Sequence, residues 1–439
     1  MGRKGEIVAG VDFGARFVRV LVAQRLLADG SVKLLGYGSA PSQGCVIRGQ
    51  IQNLGAAQAV FRKALQEAVR TSGVRVQSVF CGVSAPVVNS LIRDGNLPVQ
   101  GGVVDLEHLE EARQQAAASS SAAGMQSLSS VTAQEWYIDD LRVAEPLNMR
   151  ASVLRARIHF ALVPMVVVNN LQKCVESQNC VVEDMVYMPI AAALGCLTPD
   201  DMRLGVAVAD LGDSAVGAAV YQDGSLVGTE TFKWGMSLIQ NDIAAALNVP
   251  FDEAASLLVE YGLSSRLIKE TFTPPPSVDS DEGIVQAAIK AGSGRDDAAP
   301  VKLHNVPPGA RNSVPKSELD HIIFARGREL MEKLAAAIKT RGYQGRLARG
   351  LVITGGGARI HKIEELTGAL CGVNTRPGLP QGVDMPSNLN TEEHTPIIGI
   401  VRHGLEFRSA TGSGRIDQGV TGGLRFLRSF RRFIGRHFY

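Results

Sequence analysis

Two stretches decide the architecture: VAGVDFGARFVRVL at residues 8–21 and GVAVADLGDSAVGAAV at residues 205–220. Each reads as an apolar strand that runs into an apolar-Asp-apolar-Gly turn and out into a second apolar strand. The two aspartates, Asp12 and Asp210, stand 198 positions apart. A repeat at that distance predicts two related lobes, each opening with a β-hairpin. A third glycine turn, Gly355-Gly356-Gly357, follows a strand at 351–354 and precedes a helix at 362–370.

Working outward, further strands are expected at 31–38 and 74–83 and a helix at 53–71. Residues 87–163 change flavour. An Ala/Ser-rich patch at 116–121 is followed by strand patterns at 135–141 and 152–162, which reads as a small inserted α/β unit. Helices are expected at 164–178, 191–197, 237–247 and 251–261. The Pro-, Gly- and Asp-rich run 274–315 reads as loops and irregular strands. Ser317 is read as the cap of a long helix through 338, with Asp320 at the capping-box position. The resulting division is 6–86 with 164–204 as the first lobe core, 87–163 as the insert, 205–235 with 340–408 as the second lobe core, and 236–339 as its outer part. A Gly/Ser/Thr linker follows at 409–423, then a terminal segment at 424–439.

The chain has 439 residues, 45 Lys and Arg against 43 Asp and Glu, and 45% hydrophobic residues. That composition excludes wholesale disorder and a polyanion-binding body. Residues 424–439 hold five Arg and no acid, so the remainder carries a net −3. The six Cys form no CxxC pair and read as reduced structural thiols of a cytosolic protein. No signal peptide or myristoylation pattern is seen at the start, and no apolar run is long enough to span a membrane. The eight His show no metal-ligand spacing. Ser84 lacks the following Gly of a nucleophile elbow. The Pro274 run and the acidic cluster at 279–282 read as a spacer and a solvated loop. Arg326, Arg328 and Glu329 on the long helix read as surface charge or as part of a face that meets a partner.

Glycine after a strand lets backbone N–H groups approach an anion, and a strand-end Asp can hold a metal-bound water. Two Asp-x-Gly hairpins and a Gly triplet therefore suit a nucleotide triphosphate. The candidate nucleotide-binding residues are Asp12, Gly14, Ala15, Arg16, Asp210, Gly212, Asp213, Ser214, Gly235, Gly355, Gly356 and Gly357. Asp12 and Asp210 are the candidates for Mg²⁺ through water.

Residues 424–439 on a helical wheel place Leu424, Leu427, Phe430, Ile434 and Phe438 within an arc of about 120°. Arg425, Arg428, Arg432 and Arg436 fall within about 80° on the opposite side. Phe433 widens the apolar face. Such a segment is expected to lie in the headgroup plane of an anionic membrane, each Arg adding about 1 kcal/mol.

The hairpins, the phrase LVITGGGARIHKIEELTGAL (351–370), the stretch MVYMPIAAALGCLTPDDMRLGVAVADLG (185–212) and the basic tail resemble the actin/Hsp70/hexokinase ATPase superfamily and, within it, the bacterial cell-division family FtsA. The resemblance covers nearly the whole chain. It implies a two-lobed α/β actin-like fold with an FtsA-type inserted subdomain and a C-terminal amphipathic helix. It implies ATP and Mg²⁺ as ligands. It also implies a tether that holds the C-terminal peptide of the tubulin-like protein FtsZ at the cytoplasmic face of the inner membrane, at the division site. Self-association into filaments, contacts to later divisome proteins and anionic lipid, and no nucleic-acid partner complete the implied set. Departures from the family pattern are local. Ala15 and Arg16 replace small hydroxyl residues. Asp213 places a carboxylate where phosphate oxygens are expected, and two like charges about 4 Å apart cost about 4 kcal/mol at an effective dielectric of 20. Ala255 and Leu258 stand where relatives grip the ribose, and Gly235-Met236 stands for the glycine pair near the sugar. Met188 replaces the polar residue that orients the attacking water. No catalytic residue is therefore expected, with ATP hydrolysis lost or very weak and nucleotide binding left open. The rivals from other classes are an active ATPase, kinase or chaperone of the same superfamily, and a pilus-assembly adaptor of the same fold.

Overall fold

The computed structural model describes residues 5–26, 31–120, 122–272, 300–304, 306–307, 311–340 and 345–411. The expected membrane segment at 424–439 and most of the linker at 409–423 lie outside the described residues, as does most of the 274–315 run.

The repeat in the sequence is a repeat in topology. The first hairpin, Glu6–Phe13 with Phe17–Arg25, continues antiparallel into Val32–Pro41. Ser78–Val83 and Val181–Tyr187 then add on the other side of Glu6–Phe13, both parallel. The second hairpin, Val206–Leu211 with Val216–Gln222, continues into Ser225–Phe232, while Leu351–Thr354 and Thr375–Pro377 add in parallel. Three antiparallel strands and two parallel ones thus recur in the same order. The inner parallel strand of each sheet is buried on both faces, so Val79, Phe80, Cys81 and Val83 are fully inaccessible, as are Leu351, Val352 and Ile353.

Residues 89–164 form a separate antiparallel sheet of Asn89–Pro98, Val153–Pro164, Met125–Ile138 and Leu141–Val143, covered by the helix Leu106–Ala118. This unit leans on the second lobe. His159 Nε2 lies 2.8 Å from Ser90 Oγ and 3.1 Å from Thr229 Oγ1, and Arg142 Nη2 donates to the carbonyl of Asp223 at 2.8 Å.

Two helices form the floor between the lobes. Met188–Cys196 is apolar all round and wholly buried, as a helix packed on every face must be. Thr395–Thr411 crosses it and buries Ile397, Ile398, Ile400 and Val401 completely, each contributing roughly 1.5–3 kcal/mol. The crossing is close because both partners are glycine there. A Cβ on Gly399 would run into the Ala191 carbonyl, and one on Gly195 into that of Thr395. The helix starts under the cleft and ends at the far side of the first sheet. There Arg408 pairs with Glu183 and donates to the carbonyl of Ile7.

Several readings change. The sequence pattern misses Thr395–Thr411, which runs into the stretch expected as linker. The pattern also misses Val383–Asp384, which extends the first sheet beside Val32 and Lys33. The helix of the second lobe begins at Lys316, so Ser317 is inside its first turn rather than its cap. Asp320 is buried and takes the Lys316 ammonium at 2.7 Å instead of capping.

Candidate functional site: the cleft between the lobes

Each hairpin turn is dictated by its glycine. A Cβ on Gly14 would come within 2.7 Å of the Phe17 carbonyl, and one on Gly212 within 2.5 Å of the Ala215 carbonyl. Only glycine lets the chain fold back so tightly at both places. The first turn is braced by Ser42, whose hydroxyl donates to the Gly14 carbonyl at 2.6 Å and whose N–H donates to Arg16. The second is braced by the N–H groups of Met236 and Ser237, which donate to Gly212 and Asp213. The third turn opens at Gly355, where φ is +81° and a Cβ would overlap Asp210 Oδ1.

The turns converge on a cleft of about 450 Å³ between the lobes. Of the residues singled out from sequence, Asp12, Gly14, Ala15, Arg16, Asp210, Gly212, Asp213, Ser214 and Gly355 through Gly357 all line it. Gly235 stands just behind, packed on the Asp213 carbonyl. Met188 and Leu258 present apolar surface to the cleft, and Ala255 is buried in the helix Phe251–Tyr261. Ser214 Oγ accepts from the Arg48 N–H at 2.8 Å, a hydrogen bond that joins the two lobes across the mouth.

Charge in the cleft alternates. Arg19, directly opposite Asp12 across the hairpin, brings Nη1 to 3.7 Å from Asp12 Oδ2 and Nη2 to 3.2 Å from Glu393 Oε2. Glu393 Oε1 in turn takes Arg359 Nη1 at 2.6 Å. Asp12 and Arg19 are only 14% and 12% exposed. Burial raises the Asp12 carboxyl above its ordinary range, and Arg19 opposes that rise. Asp210 is pushed up to about 7, first by burial and then by the charge of Asp12, with Arg19 again opposing. Asp213 is raised by burial and pulled back by Arg16. Burial and the nearby Arg19 hold His394 down at about 4.

Sequence reading missed Arg19, Arg359 and Glu393. The signal for Arg19 was present: a tight turn after Gly14 puts residue 19 opposite residue 12. Arg359 and Glu393 carry no such local signal, because their pairing depends on the packing of distant segments. Arg19 reaches one oxygen of Asp12 at 3.7 Å, beyond hydrogen-bond distance, so the Asp12 and Asp210 carboxylates keep acceptor positions that could meet a metal-bound water. Among the described residues no group of three or more His, Cys, Asp or Glu converges as a metal site, and no helix is long and apolar enough to cross a membrane.

A family model described as "Cell division protein FtsA" matches residues 207–399. The FtsA of Pseudomonas aeruginosa is 26% identical over 412 residues, 93% of this chain and 91% of that protein. The FtsA of Escherichia coli is 24% identical over 95% of this chain and 94% of its own. The chain is similar to FtsA proteins over nearly its whole length. Its actin-like fold agrees with solved structures of much lower sequence identity. The "PilM-PilN type IV pilus biogenesis complex" matches with a TM-score of 0.58 and 14% identity, over 91% of this chain and 98% of that one. MreB5 of Spiroplasma citri bound to ADP matches with a TM-score of 0.50 and 12% identity, over 93% and 99%. In this FtsA-like chain the cleft gathers the three glycine turns with Arg16, Arg19, Arg359 and a buried Met188.

Proposed function

We propose that this chain is a cell-division adaptor that tethers an FtsZ polymer to the cytoplasmic face of the inner membrane and holds an adenine nucleotide without turning it over. The cleft carries the reading. Three glycine turns meet around a space of about 450 Å³, the right order for a nucleotide. Hydrolysis needs an oriented water and a stabilised transferring phosphoryl group. The wall at that point is the Met188 thioether, packed tightly against Gly82, followed by Pro189. Neither side chain accepts a proton or orients a water.

The tether half rests on the sequence of 424–439, whose Arg and Phe alternate at helical spacing. The second lobe takes the FtsZ peptide. The insert at 87–163 meets later divisome proteins and neighbouring copies, and self-association multiplies weak anchors into firm attachment.

Two measurements on the full chain test this. Steady-state ATP turnover is expected to stay at background, and turnover near one per second overturns the non-catalytic reading. Flotation with anionic vesicles is expected to carry the protein, and to fail once 424–439 are deleted. Unchanged flotation of the truncated chain overturns the anchor.

A further inference from the structure

We propose that Gln240 reads the base of the bound nucleotide: its side-chain oxygen accepts from the 6-amino group of adenine, and its amide N–H donates to a neighbouring ring nitrogen. The inference rests on the nucleotide reading above and deepens it, naming a residue that selects the ligand. Gln240 stands on the helix Ser237–Leu247, lines the cleft and is only 6% exposed. Its carboxamide has no hydrogen-bond partner among the described residues. A buried amide left unpaired is costly and rare in a folded protein. Here the amide borders a cleft, so a ligand in the cleft is the partner within reach.

The surroundings suit a base. Met236 precedes Gln240 by one helical turn and lies so close to Gly357 that a Cβ there would run into it. Leu258, Val259 and Ile360 continue this apolar wall. A planar heterocycle buries its faces on such surface, and its polar edge must then find a few placed hydrogen bonds. Of the cleft-lining residues on the helices Ser237–Leu247 and Phe251–Tyr261, Gln240 alone is polar. A carboxamide carries an acceptor and a donor side by side, which matches the amino group and adjoining ring nitrogen of adenine. With neither atom committed inside the described fold, the amide can turn to present the matching pair.

The test is calorimetric binding, to the full chain, of ATP and of purine riboside triphosphate, which lacks the 6-amino group. ATP is expected to bind about tenfold or more tightly, because the analogue leaves a buried acceptor unpaired. In Gln240→Leu the two ligands are expected to agree within about threefold. Without ligand, that variant is expected to melt at or above the temperature of the unaltered chain, since it loses only an unpaired amide. A melting point several degrees lower means that the amide is bonded within the fold and overturns the inference. Equal binding of the two ligands by the unaltered chain also overturns it and leaves the nucleotide reading standing. A gap between them that survives in Gln240→Leu overturns the role of Gln240. Absence of ATP binding overturns the inference together with the nucleotide reading.

Discussion

The two hairpins share a backbone course and differ in charge at the residue opposite the aspartate. Both turn on a glycine whose Cβ would strike a carbonyl three positions on, and both place an aspartate at the end of the first strand. Opposite Asp12 stands Arg19. Opposite Asp210 stands Gly217, where a Cβ would come within 2.9 Å of Pro189 Cγ. The first aspartate therefore has a cation beside it. The second is walled by backbone and proline, and its carboxyl is pushed up to about 7. A duplicated motif fixes where a carboxylate sits. The residue across the ladder fixes what charge it carries.

The sharpest way to break this contrast is at the glycines. Gly355→Ala forces a side chain into a left-handed conformation and onto Asp210. The expected loss is about 3 kcal/mol, from roughly 1–2 for the backbone and the rest for the clash. Gly14→Ala, with no positive φ to strain, is expected to cost less. Urea denaturation of the two variants orders them, and equal losses would mean that the second aspartate is no more confined than the first.

Titration probes the charge difference directly. The carboxyl of Asp210 binds its proton more tightly when folded, so its contribution favours the native state at low pH. That contribution is lost as pH rises from about 4 through about 7. Asp210→Asn removes the loss. The variant is expected to gain on the unaltered chain with rising pH, by about 2 kcal/mol at pH 8 once cleft hydration is allowed for. Parallel stability curves for the two proteins between pH 4 and pH 8 would erase the distinction.

The smallest effect is expected at Ser214, whose hydroxyl accepts from the Arg48 N–H of the first lobe. Ser214→Ala should cost about 0.5–1 kcal/mol. Its signature is faster amide exchange at Arg48, and an unchanged exchange rate there removes this link between the hairpins.

Much of this fold was legible in the sequence because its carriers are local. Asp-x-Gly turns between alternating apolar runs announce hairpins, and Asn53 caps its helix through a hydrogen bond to the Ala56 N–H. The helix Thr395–Thr411 was missed, and it carries Gly399 and Gly404, residues that weaken a helix taken by itself. In the structure they are the sites of closest approach to Ala191 and to Phe80. Asp320 was misread for a similar reason: spacing alone does not distinguish a cap from a buried ion pair. In the cleft, the glycines and both aspartates were visible, whereas the ion chain through Glu393 was not. It links residues 374 positions apart in sequence, and no local pattern encodes such a distance.

The direction of the final helix has a mechanical consequence. It begins beneath the cleft and finishes where the first sheet begins, with Arg408 fastened to Glu183 and to the carbonyl of Ile7. Any pull on the end of this helix therefore loads the first lobe before the second. The opposing lobe feels that load only through the floor helices and the contacts that span the gap. Those contacts include Arg19 with Glu393 and the Arg48 N–H with Ser214, so a load applied to one half reaches the other through a few polar pairs beside the apolar floor.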